Sequence, residues 1–384
     1  MTPGGCGNLA LPLPLRLAIV PPAPAPYREP LFRALHERGD LQLEVIYQSA
    51  RQPSWDVAGA WFALEHRYPA RHLRAWQRRR PGRTPIVWPR GLERALAAVD
   101  PGCVVASEYG PASLRALTWS RRRRRAFVVL TECTRQIDTM LSPAQLRLHR
   151  WMARHADAVI AVSTAARERL RAFGVPDERT TVALQSADLA GVRAACTGAR
   201  GGERRPLTVL SVGRLVPDKN FGALLAAVAG LDDVRLEIAG TGFLAPELRR
   251  LSERLGVPVR FHGHVPPASL PRLYAAADLY ALVSTYEPFG VSLREAAAAG
   301  LPILCSRTAG AAGDVAVEGR NAILVEPGSV SEIRAALGRL LGDAELRRRM
   351  GEQSRALDAE TDGRDVDAFA AAVLGAARRR SVLQ

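Results

Sequence analysis

The sequence has little lysine, no paired cysteines and no long hydrophobic run. Lys219 is the only lysine among 53 lysine and arginine residues. The five cysteines lack the spacing of a metal knuckle or a C-x-x-C pair, standing alone at Cys6, Cys103, Cys133, Cys196 and Cys305. They therefore predict neither a zinc site nor a disulfide framework, and no metal or other cofactor is expected.

The absence of long apolar runs bears on location. No run approaches the ~20 residues that span a bilayer. Residues Met1–Pro14 lack a charged stretch followed by an apolar core, so they are expected to form a disordered lead-in rather than a signal peptide. These features predict a cytoplasmic protein. Its 384 residues, 47% hydrophobic and 24% charged, suit two ordinary domains.

The net charge of +15 raises the question of an anionic partner. An arginine bias alongside abundant alanine and glycine is typical of high-GC coding. Two interpretations of Arg121–Arg125 stay open: a solvated helix end, or peripheral contact with an anionic membrane face or acidic acceptor. A nucleic-acid partner is disfavoured, because no aromatic platform is interleaved with the basic runs.

Short apolar runs alternate with helical patterns in both halves of the chain. In the first half the predicted strands are Leu15–Val20, Leu41–Tyr47, Ile86–Trp88, Cys103–Ala106, Phe127–Leu130 and Ala158–Val162. In the second half they are Leu207–Val212, Val234–Ala239, Val259–Phe261, Leu279–Val283, Ile303–Cys305 and Ala322–Val325. The alternation predicts an α/β protein with two doubly wound, mostly parallel sheets.

A glycine- and charge-rich break from Asp188 to Arg205 separates the two halves and predicts a linker without strands. The predicted organisation is an N-terminal domain over 1–190, a linker over 191–205, a second domain over 206–360, and a helix within 361–384 that could cross back onto the first domain. Because ligands of open parallel sheets bind beyond the carboxyl ends of the strands, a cleft between the domains is the expected site.

The loop after the first strand of the second half carries the strongest signal for an anion. Gly213 lets the backbone approach a ligand closely. Arg214 and Lys219 place two cations at a helix start, where free N–H groups and the helix dipole already favour negative charge. Without an anion, cations at that end are unfavourable, so a diphosphate is the better interpretation than two surface charges.

A second loop contains two carboxylates eight residues apart, Glu287 and Glu295. Pro288 and Gly290 predict a tight turn whose backbone N–H groups face the cleft, and Glu287 can accept hydrogen bonds from hydroxyls. Glu295 has an equally good structural explanation, because Ser292 and Glu295 form an S-x-x-E capping box.

A third loop, Gly240-Thr241-Gly242, looks like the opening of a dinucleotide fingerprint. The third glycine position holds Ala245, and no acidic residue follows where a ribose would bind. The NAD signal is therefore weak, and a glycine-rich turn of a Rossmann-like domain explains the loop equally well.

From Leu207 to about Leu357 the chain resembles the family 4 glycosyltransferases of the GT-B fold. The resemblance rests on an ordered series of motifs: Val212-Gly213-Arg214-Leu215 with Lys219-Asn220, Ile238-Ala239-Gly240-Thr241-Gly242, Phe261-His262-Gly263-His264-Val265, Glu287-Pro288-Phe289-Gly290, and the E-x7-E pair Glu287 and Glu295. It implies two Rossmann-like domains facing a central cleft, the first binding the acceptor and the second a nucleotide sugar.

The resemblance also implies residue roles. Arg214 and Lys219 would bind the diphosphate, Glu287 the donor sugar and Glu295 the ribose hydroxyls. The backbone N–H groups of Phe289, Gly290 and Val291 would face sugar and phosphate, and Val265 would lie against the base. The reaction would be metal-independent and would retain anomeric configuration, with a uridine diphosphate sugar as the favoured donor.

The first half departs from the family at one position: Glu132 stands where many members have histidine. Glu132 could orient the acceptor or take its proton, or it could be a structural partner of Arg135. The acceptor itself is not specified, and a cell-envelope glycan, a polysaccharide end or a natural product all fit. Three alternative functions stand beside the transferase: a nucleotide-sugar epimerase of the same fold, a glycoside hydrolase using Glu287 and Glu295, and a basic nucleic-acid-binding protein.

Overall fold

The computed structural model describes residues 14–51, 64–80, 83–197 and 206–382. Most of the expected lead-in, with Cys6, lies outside the described residues. So do residues 198–205 of the predicted linker and the last two residues of the predicted C-terminal helix.

The described part of the first domain contains a parallel seven-stranded sheet and a separate antiparallel hairpin. Its strands are Leu15–Val20 (β1), Leu41–Tyr47 (β2), Ala70–His72 (β3), Ala75–Arg80 (β4), Arg83–Pro89 (β5), Cys103–Ser107 (β6), Ala126–Thr131 (β7), Ala158–Ala161 (β8) and Thr180–Val182 (β9). The parallel sheet has the order β3-β2-β1-β6-β7-β8-β9.

Helices cover both faces of this sheet, which is why β6, β7 and β8 are buried along their whole length. The helices of the first domain are Glu29–Glu37 (α1), Leu92–Val99 (α2), Pro111–Arg122 (α3), Pro143–His155 (α4) and Thr164–Ala172 (α5). Residues of α1 pack on one face, whereas α2, α3, α4 and α5 contribute to the core on the other.

The predicted strand Ile86–Trp88 is found, but its expected place in the parallel sheet is wrong. It lies in β5, which pairs antiparallel with β4, Trp76 standing opposite Trp88. The expectation that no aromatic platform interleaves with basic residues is corrected at the same place. Both tryptophans are about half exposed within an arginine-rich stretch.

The second domain has a six-stranded sheet, also parallel throughout, in the order β12-β11-β10-β13-β14-β15. Its strands are Leu207–Val212 (β10), Val234–Ala239 (β11), Val259–Gly263 (β12), Leu279–Leu282 (β13), Ile303–Ser306 (β14) and Ala322–Val325 (β15). The strand positions agree closely with those predicted from the apolar runs.

Eight further α-helices complete the described chain, the first of them between the domains. They are Ala190–Ala195 (α6), Phe221–Val228 (α7), Ala245–Leu255 (α8), Leu270–Ala276 (α9), Val291–Ala298 (α10), Val330–Gly342 (α11), Ala344–Thr361 (α12) and, last in the chain, Arg364–Val382 (α13). The predicted linker is therefore partly helical, because Val192 of α6 buries itself in the core and Arg193 pairs with Asp358 of α12 at 2.7 Å.

The last helix, α13, packs against β7, β8 and β9 of the first sheet and against α1. Its buried side chains, among them Phe369 and Val373, belong to a hydrophobic cluster that continues through α6 to α10 of the second domain. Arg294 of α10 adds polar ties, donating to the carbonyl of Gln185 at 2.9 Å and to Asp365 at 3.0 Å. One apolar core therefore joins the two domains.

Among the described helices, none is both long and apolar enough to cross a membrane.

Candidate functional site in the interdomain cleft

The carboxyl ends of β10 and β13 face loops of the first domain, and polar contacts join the two sides. Gln136 Nε2 donates to the carbonyl oxygen of Thr285 at 3.3 Å. Asp314 of the second domain accepts hydrogen bonds from the backbone N–H and Oγ1 of Thr164, both at 2.7 Å. Since Thr164 is the first residue of α5, the Asp314 carboxylate also lies favourably at a helix N-terminus. The predicted cleft is thus present between the domains.

The Arg214 loop is held by the glycine-rich loop that resembled a dinucleotide fingerprint. Gly240, at φ +145°, approaches Gly213 so closely that a Cβ would lie 1.8 Å from the Gly213 carbonyl oxygen. The N–H of Leu215 donates to the Thr241 carbonyl at 2.8 Å. The glycines at 240 and 242 are therefore explained by packing of one loop on another, and no fingerprint role is needed.

Arg214 lies in this loop, partly buried, and no carboxylate of the described residues pairs with it. Its charge reaches across the cleft to Tyr27. Burial raises the pKa of the Tyr27 phenol to about 12, against the opposing effects of Arg28 and Arg214. Tyr27 is therefore a neutral hydroxyl at physiological pH.

Lys219 forms an ion pair with Glu287, the carboxylate predicted to bind the donor sugar. Asn220, the next residue, adopts a left-handed conformation (φ 55°) and donates from its side chain to the carbonyls of Val283 and Pro327. The N–H of Thr285 donates to the Asp218 carbonyl at 2.9 Å. These bonds lock the two predicted loops together, so residues 68 positions apart meet at one point.

Glu287, Phe289 and Gly290 form a tight turn backed by a second segment. The N–H groups of Gly310 and Ala311 donate to the carbonyls of Glu287 and Phe289, both at 2.9 Å. A Cβ on Gly310 would lie 1.7 Å from the Pro288 carbonyl oxygen, so only glycine fits there. Gly290, at φ 97°, turns the chain into α10, which begins at Val291. Free N–H groups at this helix start can serve an anion or a sugar hydroxyl.

The capping-box explanation for Glu295 is wrong. The residue before α10 is Gly290, which makes no side-chain cap, and Ser292 Oγ instead accepts from Tyr280 at 2.6 Å. Glu295 accepts a hydrogen bond from the Tyr274 hydroxyl at 2.6 Å. Burial raises its pKa above the usual range, while the Tyr274 hydrogen bond opposes that shift. Glu295 is thus a partly buried carboxylate one turn into the helix.

Val265 follows β12 and is partly buried. It stands in the loop after the carboxyl end of that strand, next to the end of β11 that carries Gly240. The loop therefore opens on the same edge of the sheet as the Arg214 loop.

Glu132 follows β7 on the opposite wall, and its partner is Arg28 rather than the Arg135 suggested by the sequence. The Arg28 Nη2 atom lies 3.9 Å from Glu132 Oε1. Burial raises the pKa of Glu132; Arg28 and Lys219 lower it, and Glu108 and Glu287 raise it further. Because Lys219 and Glu287 belong to the second domain, the pKa of Glu132 depends on charges on the opposite wall of the cleft.

Arg28 lies in the segment Tyr27–Phe32, which resembles the acceptor-side loop of some family members, but it was not itself predicted as a site residue. It is 5% exposed, and its Nε and Nη1 atoms have no hydrogen-bond partner among the described residues. Its guanidinium lies 5.6 Å from the centre of the Tyr27 ring. Burying a cation with so few hydrogen-bond partners costs folding free energy unless a nearby negative charge compensates it. Glu132 supplies that negative charge.

Glu108 is a second residue that sequence reasoning missed. It stands after β6 at φ +60°, a rare conformation for a residue other than glycine. Its carboxylate accepts from the N–H of Glu132 at 2.7 Å, from Thr131 Oγ1 at 2.9 Å and from Cys133 Sγ at 3.0 Å. Glu108 therefore fixes the turn that carries Glu132. Its place directly after a buried strand was the only sequence signal for it.

The site therefore combines Arg214 and Lys219 with the turn at Gly290 on one wall and Glu132 on the other. Such a wall can neutralise a diphosphate as its negative charge grows, and the opposite carboxylate can bind a hydroxyl. Within the described residues, no group of three histidine, cysteine, aspartate or glutamate side chains is arranged to hold a metal ion.

Comparison with known proteins places both halves among the glycosyltransferases. Residues 23–184 match the family model described as a glycosyl transferase 4-like domain, and residues 200–357 match the model of glycosyl transferases group 1. The chain belongs to the GT-B glycosyltransferases. Its pair of domains is the one typical of family 4, as the sequence motifs predicted.

Among curated relatives of this glycosyltransferase, the D-inositol 3-phosphate glycosyltransferase of Corynebacterium glutamicum is 34% identical over 239 residues. The glycogen synthase of Mycobacterium tuberculosis is 31% identical over 239 residues. These matches cover 56% and 60% of this chain, respectively, and 56% of the length of each relative. The named relatives are transferases, which does not favour the epimerase alternative.

Solved structures confirm the fold of this glycosyltransferase. Anabaena HepE in complex with UDP superposes with a TM-score of 0.76 at 21% identity, covering 94% of this chain and 99% of that one. Sucrose-phosphate synthase from Thermosynechococcus elongatus gives a TM-score of 0.73 at 20% identity, covering 93% and 97%. At these identities the likeness shows the GT-B architecture alone.

Proposed function

We propose that this glycosyltransferase is a family 4 enzyme that moves a hexosyl group from a uridine diphosphate sugar to an acceptor hydroxyl, with retention of anomeric configuration and without a metal ion. The observation that carries the proposal is the meeting of Lys219 with Glu287 beside the Arg214 loop, opposite Glu132. The complex of HepE with UDP supports the choice of nucleotide.

In the Lys219–Glu287 pair, Lys219 can exchange the Glu287 carboxylate for the diphosphate of the donor. A diphosphate attracts Lys219 more strongly than one carboxylate does, because it carries more charge. When Lys219 turns to the diphosphate, Glu287 is released to accept hydrogen bonds from hydroxyls of the donor sugar. Arg214 and the N–H groups of Phe289, Gly290 and Val291 add positive potential at the same place. Glu295 takes the ribose hydroxyls, and Val265 packs against the base.

In the transfer step the bond between the anomeric carbon and the diphosphate oxygen breaks, and a bond to the acceptor oxygen forms on the same face. Negative charge grows on the leaving diphosphate, where Arg214 and Lys219 stabilise it. Preorganised cations and amides do there what a metal ion does in other transferases. Glu132 orients the acceptor hydroxyl or takes its proton. A carboxyl with a raised pKa is suited to a general base.

The acceptor is proposed to be a cell-envelope glycan, a polysaccharide end or a natural product, met in the cytoplasm or at the inner face of a membrane. The relatives include enzymes named for inositol 3-phosphate and for glycogen, which supports both small and polymeric acceptors as candidates. No nucleic-acid partner is proposed for the site.

The first test is a thermal-shift panel with UDP, GDP, ADP and NAD. A ligand at 100 times its dissociation constant adds about 2.7 kcal/mol of stability, enough to raise the melting temperature by several degrees. We expect a shift with UDP and none with NAD. A shift with GDP or ADP alone would replace the nucleotide assignment, and no shift with any diphosphate would contradict a donor site here.

The second test is Lys219→Ala. Loss of one charge-assisted bond to the diphosphate should weaken UDP binding by roughly 10- to 100-fold, measured by calorimetry. Arg254→Ala is the matched control, because Arg254 is an exposed cation at the C-terminal end of α8, the end that lies away from the cleft. Equal UDP affinity in wild type and Lys219→Ala would contradict the assignment.

A further inference from the structure

The positive charge of the first domain is concentrated in one continuous segment. Residues 66–92 contain eight arginines and neither aspartate nor glutamate. This segment includes β3 and the β4–β5 hairpin. The charge of +15 is therefore not spread evenly, and one segment carries a large part of it with no carboxylate of its own.

The β4–β5 hairpin has two distinct faces. Trp76 and Trp88 are directly opposite each other across the strands, and Arg78 is opposite Ile86. Trp76 is 54% and Trp88 48% exposed, and Arg78 is exposed as well. The alternate residues point inward: Val87 is buried, and Gln77 donates to the Arg51 carbonyl. The outward face thus combines two indole rings with an aliphatic side chain and a cation.

The hairpin leaves the same edge of the sheet as the cleft. The N–H of Leu73 donates to the carbonyl of Tyr47, the last residue of β2, and the N–H of Arg90 closes the hairpin base by donating to Arg74. Because all neighbouring strands of the sheet are parallel, the end of β2 lies at the edge that also carries Glu132.

The arginine run Arg121–Arg125 lies at the opposite edge. Arg125 pairs with Asp100 at 2.7 Å, and Asp100 also pairs with Arg16 near the start of β1. A membrane that met this run would be far from the cleft. A membrane that met the hairpin would lie beside it.

Arg115 supports the outward face from below. Its guanidinium lies 5.3 Å from the Trp88 ring centre and is held by Glu93 and by the Pro89 carbonyl. Arg115 therefore occupies one side of the Trp88 ring, and the side chain still remains 48% exposed. This arrangement is suited to insertion at an interface rather than to stacking of a nucleic-acid base between rings.

We infer that the outward face of the β4–β5 hairpin docks this protein on an anionic membrane and holds the acceptor side of the cleft at the lipid surface. Indole rings partition to the headgroup level of a bilayer, and arginines near it are attracted by anionic lipids. A hairpin with a half-exposed tryptophan pair and no carboxylate matches that surface in both polarity and charge. Docking does not depend on transfer activity, so it can be tested without donor or acceptor.

The test measures binding of the full chain to vesicles by co-sedimentation. We expect binding to vesicles of phosphatidylcholine mixed with phosphatidylglycerol, weaker binding at higher salt, and little binding to phosphatidylcholine alone. Trp76→Ala with Trp88→Ala should lower the affinity about tenfold or more, since binding scales with the apolar area buried. Arg78→Ala should lower it about fivefold.

Two control variants distinguish binding through this surface from nonspecific binding to vesicles. Trp151→Ala removes a tryptophan of similar exposure, 46%, on α4. Arg121→Ala with Arg122→Ala removes charge at the far edge of the sheet. Both should bind vesicles like wild type, and unchanged melting temperatures would show that all variants fold.

The inference is overturned if wild type does not bind the anionic vesicles, or if the double tryptophan variant binds them equally well. It is also overturned if the tryptophan pair proves instead to be needed for a dimer in analytical ultracentrifugation, or for binding single-stranded nucleic acid.

Discussion

The two walls of the cleft belong to sheets of the same architecture, yet they hold their charges in different ways. In the second domain, short loops place Lys219 against Glu287, and close glycine contacts fix the Arg214 loop. In the first domain, Glu132 faces the buried Arg28. The backbone N–H of Glu132 donates to the carboxylate of Glu108, a residue in a left-handed conformation. The proposed donor wall, in the second domain, joins two loop motifs that can each be recognised in the sequence. The proposed acceptor wall, in the first domain, is built from side chains that follow different strands and share no motif.

This difference explains why a sequence reveals one wall more readily than the other. Few amino-acid sequences satisfy a loop whose function needs a glycine and two cations at fixed spacing, so such a loop can be recognised. A pair such as the buried Arg28 and the partly buried Glu132 can be assembled from any positions that the fold brings together.

The largest effect is expected for Glu287→Gln on the donor wall. Loss of the carboxylate should lower the turnover number by about 10²- to 10³-fold, because a preorganised group is removed next to the reacting sugar. The same change frees Lys219 from its ion pair, so UDP affinity should stay equal or rise. Turnover assays and UDP calorimetry measure the two effects. A turnover number equal to that of wild type would show that the Glu287 carboxylate is not needed for the transfer.

The next effect tests whether glycine packing builds the donor wall. Gly240→Ala would place a Cβ against the Gly213 backbone at a φ that only glycine adopts readily. We expect a loss of about 1–3 kcal/mol or more in stability and at least about tenfold weaker UDP binding. Thermal melts and calorimetry measure both.

Gly256→Ala is the matched control. Gly256 also has a positive φ, 62°, but a Cβ added there would have no atom of a more distant described residue within 4 Å. The variant should lose about 1 kcal/mol in stability and keep UDP affinity unchanged. Equal UDP binding by both variants would contradict the close-packing explanation.

A third prediction concerns pH and the first domain. Burial lowers the pKa of His149 to about 4, and Arg169 contributes to the same shift, so the folded state prefers the neutral ring. The folded pKa is depressed, so the stability is fully present above about pH 6.5 and is lost as the pH falls toward 4. The free energy of unfolding decreases by about 3 kcal/mol at most.

His149→Gln should remove this sensitivity, because glutamine does not titrate. Melting temperatures of wild type and variant, measured from pH 6.5 to 4, should fall more steeply for wild type. Parallel curves for the two proteins would show that His149 is not the group responsible.

The smallest effect is expected for Glu108→Gln on the acceptor wall. Glutamine keeps the size but cannot accept all three hydrogen bonds, so the Glu132 turn should loosen and kcat/KM should fall about tenfold. Because Glu108 raises the pKa of Glu132, the acidic limb of the pH profile should move to lower pH.

The control for this variant is Glu93→Gln, which removes a first-domain carboxylate that is paired with Arg115 rather than with the Glu132 turn. UDP affinity should be unchanged in both proteins. An unaltered pH profile in Glu108→Gln would mean that Glu108 does not act through Glu132.

The sequence by itself predicted the six strands of the second sheet, six of the nine described strands of the first domain, the alternation of strands with helices and the loops of the proposed donor wall, but not β3, β4 or β9. Apolar runs and the 3.6-residue period reflect burial of each element on a sheet, which is a local property. Gly213, Arg214, Lys219 and Glu287 were predicted because each stands in a short loop motif, whereas the meeting of Lys219 with Glu287, 68 positions apart, came from the tertiary structure.

Only the tertiary structure decided the rest, because it depends on residues far apart. Glu132 paired with Arg28 instead of Arg135 since β1 and β7 end at the same edge of the sheet. Glu295 met Tyr274 instead of Ser292 because the fold brings the Tyr274 hydroxyl of α9 within 2.6 Å of the Glu295 carboxylate. The predicted strand Ile86–Trp88 lies outside the parallel sheet because β4, its neighbour in the chain, pairs with it in a hairpin. The pattern of apolar residues predicts that a segment is a strand, but it does not predict which strand will be its partner.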